Sequence, residues 1–150
     1  MHKRVAVVAL TAALAIINLA GCQAIGPGSF TRADARADVA TWTQDAEATL
    51  GSPTTRVRFD GFEVCRTDHG YFTTTSQWRT AAALSMPRAR QSAAMSTVSE
   101  SFVTRGWNSS KSNGTVTLTG PKGAHHTGQI RIEPYGSTSL LVSVVSPCYS

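Results

Sequence analysis

The sequence predicts an α+β fold: an antiparallel sheet of about five strands with two helices on one face, in the order α-β-β-α-β-β-β. Three observations lead there. Apolar residues recur at helical spacing in two stretches, 32–50 and 87–105. Other runs, rich in Val, Ile, Thr, Phe and Tyr, alternate apolar with polar residues, as half-buried strands do. These runs sit next to one another in blocks divided by single helices, a pattern that favours antiparallel pairing with the helices to one side.

Residues 32–50 form the first predicted helix. Thr31 with Asp34 matches a capping box in which Asp replaces the usual Glu. Ala35, Val39, Trp42, Ala46 and Leu50 make one apolar face, and Gly51 and Pro53 end the helix. Asp38, Asp45 and Glu47 give it an acidic outer side. Two strands follow, over 55–65 and 71–80, joined by the turn composition Thr67-Asp68-His69-Gly70. In the first, Val57 and Phe59 take one face while Phe62 and Val64 take the other. Gly61 marks the change of phase and is the expected site of a bulge. The second carries Tyr71, Phe72 and Trp78 among threonines, which predicts one wet face.

The second helix covers 87–105, with Pro87 in its first turn. Gln91, Ala94, Met95, Val98, Phe102 and Val103 form its stripe. Gly106 suits the position just past its end, and Trp107 can pack back on it. Residues 115–147 read as a three-strand meander. Val116 and Leu118 alternate with threonines, and Ile130 and Ile132 with Gln129, Arg131 and Glu133. Leu140 to Val145 is almost continuously apolar, which predicts a central strand buried on both faces. Residues 120–128 and 135–138 supply the turns.

Ahead of the domain, His2-Lys3-Arg4 precede an apolar run from Val5 to Ile17, and Leu19-Ala20-Gly21-Cys22 close it. A basic head, a hydrophobic stretch and a small-residue site form an export signal, too short for a stable transmembrane helix. The cysteine directly after Leu-Ala-Gly resembles the lipobox of bacterial lipoproteins. That resemblance implies cleavage before Cys22 and a palmitate-type lipid anchor on it. A thioether-linked diacylglycerol supplies two acyl chains, enough for stable attachment. The expected organisation is a lipoprotein signal peptide over 1–21, a lipidated tether over 22–31 and a single domain over 32–150. The expected address is the extracytoplasmic face of the cell membrane.

Three cysteines are present, an odd number. With Cys22 assigned to lipid, Cys65 and Cys148 remain to pair in an oxidising compartment. Their bridge would close a loop of about 84 residues and contribute about 4–5 kcal/mol in the chain-entropy treatment. The other reading is two buried free thiols. Cysteine and histidine spacings do not suit zinc, so no metal is expected.

The chain carries 14 Lys and Arg against 9 Asp and Glu, a net charge of +5. Without Lys3 and Arg4 the balance is 12 to 9, or about +3. The basic residues are scattered, with no basic run interleaved with aromatics, which argues against a nucleic-acid partner. Catalytic signatures are absent: no Gly-x-Ser-x-Gly elbow, Ser-x-x-Lys, His-Glu-x-x-His or phosphate loop. An enzyme would need His69, His125 or His126 to converge on an acidic or hydroxyl group. No cofactor is expected.

The lipobox, the abundance of Ala, Arg, Thr and Ser, Gly106-Trp107 and the terminal Val145-Ser-Pro-Cys-Tyr149 together resemble the small lipoproteins of mycobacteria and related actinobacteria. The resemblance implies an envelope location, a small α+β domain and no established catalytic activity. It carries a role to one residue, Cys22, as the lipidation site. The function expected is a non-enzymatic, membrane-anchored module that binds another envelope component. A protein partner comes first, because an open sheet offers an edge or face for docking. The alternative is a carrier or sensor of an apolar or lipid ligand between sheet and helices, with Trp42, Trp78 and Trp107 as pocket walls.

Overall fold

A computed structural model describes residues 30–52, 54–66, 72–121 and 127–149. The predicted turn at 67–70, the loop holding His125 and His126, and Cys22 with its leader lie outside the described residues. The elements are α1 (Arg32–Leu50), β1 (Thr54–Arg66), β2 (Phe72–Ser85), α2 (Arg88–Thr104), β3 (Asn108–Ser112), β4 (Thr115–Gly120), β5 (Gly128–Pro134) and β6 (Ser139–Val145). The strands form one sheet in the order β1-β2-β6-β5-β4-β3, with every pairing antiparallel. Both helices pack on one face, α1 over β2 and β6 and α2 over β3 to β6. The α+β class stands. The strand count is six rather than about five, because β3 is an additional edge strand between α2 and β4.

Local chemistry sets the helix ends. Thr31 Oγ1 accepts from the Asp34 backbone N–H at 3.2 Å, and the Asp34 carboxylate accepts from the Thr31 backbone N–H at 2.9 Å. This is the capping box, with aspartate reaching back as glutamate would. Gly51 closes α1 in the left-handed region, at φ 61°. At the end of α2, Gly106 N–H donates to Val103 O and Trp107 N–H donates to Phe102 O, both at 3.0 Å. That pair of bonds is a Schellman motif, with Gly106 at φ 87°. It turns Trp107 back onto Phe102, with ring centroids 5.2 Å apart and nearly perpendicular.

Three strand expectations need correction. No register shift falls at Gly61, which pairs directly with Arg79; one falls between Val57 and Phe59, whose partners Ala82 and Ala81 are consecutive. Arg58 is therefore the extra residue. Val57 shares the helix-side face with Phe62 and Val64, and Phe59 points to the opposite face. Second, β2 runs on through Ala81-Ala82-Ala83-Leu84-Ser85. Alanines favour helices in isolation, but here they are buried and paired on both sides by β1 and β6, and that context decides the strand. Third, β6 is central, yet Leu141 and Val145 are only half-buried, because no helix covers that face.

The core lies between sheet and helices. Leu84, Leu118, Ile130, Ile132, Leu140, Val142 and Val144 face Val39, Met95, Val98 and Phe102, all buried. Gln91 is buried in the helical stripe with its amide satisfied: Nε2 donates to Met86 O at 2.9 Å and Ser139 O at 3.0 Å.

Three α1 carboxylates respond to pH in opposite ways. Hydrogen bonds from the Thr31 hydroxyl and backbone hold Asp34 below its ordinary 3.8. Its box stabilises the fold above that value and is lost as the pH falls through the lowered folded pKa. Partial burial, and for Asp38 also the Asp34 charge, holds Asp38 above 3.8 and Glu47 above 4.5. Their charged forms cost stability at neutral pH, and acidification through the raised values relieves that cost. Asp38→Asn with Glu47→Gln is therefore expected to raise the melting temperature at pH 7. The gain should vanish below the ordinary carboxylate range in paired melts of parent and variant.

Candidate functional site

The helices cover one face of the sheet and leave the other uncovered. Alternate residues of β1, β2, β6 and β5 project there: Glu63, Gln77, Arg79, Ser143, Gln129, Arg131 and Glu133, over a floor that includes Leu141 and Val145. They line a trough of about 550 Å³ with Cys148 and Pro147 at its rim. Two ion pairs cross its surface, Arg79–Glu63 at 3.4 Å and Arg131–Glu133 at 2.7 Å. Gln77 Nε2 also donates to Glu63 at 2.7 Å. Arg79, Glu63, Arg131 and Glu133 are all partly exposed, and exposed pairs of this kind contribute about 0–1 kcal/mol each. They can therefore open to an incoming polar group at little cost. Beyond the trough, Arg58 donates to the Tyr135 hydroxyl at 3.0 Å and lies over its ring.

A second surface lies on the helix side. α1 sits over β2 and β6 and leaves β1 uncovered, so Val57, Phe62 and Val64 are 58%, 55% and 44% exposed. Arg32 lies over the Phe62 ring at 4.6 Å, and Arg36 lies over the Trp78 ring at 5.4 Å. Small residues Ala33, Ala37 and Ala40 of α1 complete an open shelf of about 620 Å³ beside Trp78. Asp60, the carboxylate on this face of β1, accepts from Trp78 Nε1 at 2.9 Å and Thr80 Oγ1 at 2.8 Å.

The structure separates the three predicted tryptophans. Trp42 and Trp107 meet edge to face at 5.1 Å between helices and sheet, and Phe102 fills the space beside them. Trp78 stands apart beneath Arg32 and Arg36. Cys65 and Cys148 form a disulfide. Among the described residues, no group of three or more His, Cys, Asp or Glu side chains is placed to hold a metal, and no helix is long and apolar enough to cross a membrane. The trough residues were visible in the sequence only as the polar half of the β5 alternation. Gln77 and Arg79 gave no signal, because their face depends on the register of β2. No known family, curated protein or solved structure matches the chain.

Proposed function

We propose that the chain is a lipid-anchored, extracytoplasmic envelope protein whose domain is a non-enzymatic docking module. The observation that carries this reading is the one-sided fold, which leaves a polar trough of about 550 Å³ on the uncovered sheet face. A lipobox ending at Cys22 and a disulfide between the other two cysteines both suit an exported protein. The trough offers amides, a hydroxyl and two openable ion pairs, so it favours a hydrogen-bonding, mixed-charge partner such as an extended protein segment. An apolar cargo would need room between sheet and helices, where Trp42, Trp107 and Phe102 lie in contact.

Two measurements test this reading. Cys22→Ala is expected to move the chain from the membrane fraction to the soluble one. Gln129→p-benzoylphenylalanine, placed in the trough, is expected to cross-link a discrete envelope protein in cells. The same replacement at Ser92, exposed on α2, should not. Arg131→Glu should suppress the Gln129 adduct by breaking one side of the trough. Equal adducts from positions 129 and 92, or indifference to Arg131→Glu, would refute the docking face.

A further inference from the structure

We propose that the shelf between α1 and β1 is a lipid-surface contact that seats the domain on anionic headgroups beside its own anchor. The inference rests on the lipid anchor proposed above. It is built from Arg32, Arg36, Val57, Phe62, Val64 and Trp78.

The position of α1 along the chain supports it. Helix α1 begins at Arg32, ten residues after Cys22. Residues 22–29 can span at most about 28 Å when fully extended. An acyl group on Cys22 therefore confines the α1 start, and the shelf beside it, close to the bilayer. Arg32 lies in the first turn of α1 and touches Phe62, so the shelf is at the anchored end of the helix.

The chemistry matches that location. A membrane contact needs apolar groups to enter the acyl boundary and cations to meet phosphates. Phe62 and Val64 are large, apolar and exposed, and they share a face of an edge strand. The guanidinium groups of Arg32 and Arg36 lie over aromatic rings at 4.6 and 5.4 Å, and the fork of guanidinium N–H donors matches phosphate oxygens. Asp60, on the same face, keeps its negative charge while its Oδ1 accepts from Trp78 Nε1 and Thr80 Oγ1, and the two guanidinium groups outnumber it. Glu63 points to the opposite face of the sheet. Seating this shelf on the bilayer leaves the polar trough open on the far side, available to a partner.

The test uses residues 22–150 carrying Cys22→Ser, so that no acyl chain contributes. The core closes within residues 30–149, so this chain keeps the whole domain. Sedimentation is measured with phosphatidylcholine vesicles, with and without a third of phosphatidylglycerol. Binding is expected to the anionic vesicles alone and to weaken with added salt. Arg36→Gln should lower it about fivefold, and Arg32→Gln with Arg36→Gln about 25-fold, as expected for about one surface charge each. Phe62→Ser should abolish it, whereas Arg131→Gln, in the trough, should leave it unchanged. These side chains are exposed, and circular dichroism checks that each variant stays folded. No binding by the parent, or equal loss with Arg131→Gln, overturns the proposal. So does a parent chain that is a dimer until Phe62→Ser, since the shelf would then serve a second copy. The mass at Cys22 of the chain matured in cells reports the anchor separately. An unmodified Cys22 alongside intact vesicle binding would remove the anchor and sustain the contact.

Discussion

Cys65→Ala with Cys148→Ala is expected to lower the free energy of unfolding by about 4 kcal/mol while leaving the native sheet in place. The bridge joins residues 83 apart, so most of its effect lies in the unfolded chain, which it keeps from expanding. In the native state the terminus has other attachments. Ser76 N–H donates to Tyr149 O at 2.8 Å, and Tyr149 N–H donates back to Ser76 O at 2.6 Å. Ser146 N–H donates to Trp78 O, and Trp78 N–H donates to Ser146 Oγ, both at 2.8 Å. The tail thus continues the β2 ladder beyond the end of β6, and Tyr149 buries its ring in the core. Denaturant titration should show a lower midpoint and a steeper slope, because the untied chain exposes more surface on unfolding. Amide exchange at Ser76 and Trp78 should stay protected under native conditions. A loss below about 1 kcal/mol would mean that the denatured chain is already compact without the bridge. Loss of protection at Ser76 would mean that the bridge, not the ladder, holds the tail.

Elements with a local chemical reason were legible in the sequence. Helix α1 begins and ends where Thr31, Asp34 and Gly51 predict, and α2 ends in the motif that Gly106-Trp107 announces. Strand β3 was missed because Asn-Ser-Ser-Lys-Ser has no apolar alternation, and all five of its residues are exposed. A signal for it was present. Asn113-Gly114 both take positive φ, 50° and 76°, and join β3 to β4 as a two-residue hairpin turn. Features set by register were not legible. The bulge at Arg58 sends Val57 and Phe59 to opposite faces, and only pairing with β2 places it. The trough and the shelf both follow from that register and from where the helices lie, so neither could be assembled from spacing along the chain.

The same limit explains the second large effect, which lies under the tryptophans. Gly120 and Gly128 pair directly across β4 and β5 on the helix-side face. A Cβ on Gly120 would come within 3.1 Å of the Trp107 ring and backbone, and a Cβ on Gly128 would come within 2.0 Å of the Trp42 ring and 2.9 Å of Val145 O. The two glycines form a slot that lets Trp42 and Trp107 approach the sheet closely and meet edge to face. Trp107→Ala is expected to cost about 3–5 kcal/mol, since it empties a buried site between α1, α2 and β4. Gly128→Ala is expected to cost about 3 kcal/mol, because ring and carbonyl together block the methyl group. A double-mutant cycle isolates the slot. With Trp42→Ala the ring is gone, and the further cost of Gly128→Ala should fall to about 1 kcal/mol, left by the Val145 carbonyl. Simple additivity of Trp42→Ala and Gly128→Ala would show that the glycine is not there for the ring. A coupling of about 2 kcal/mol would instead show that a residue readable only as turn composition is part of the aromatic core.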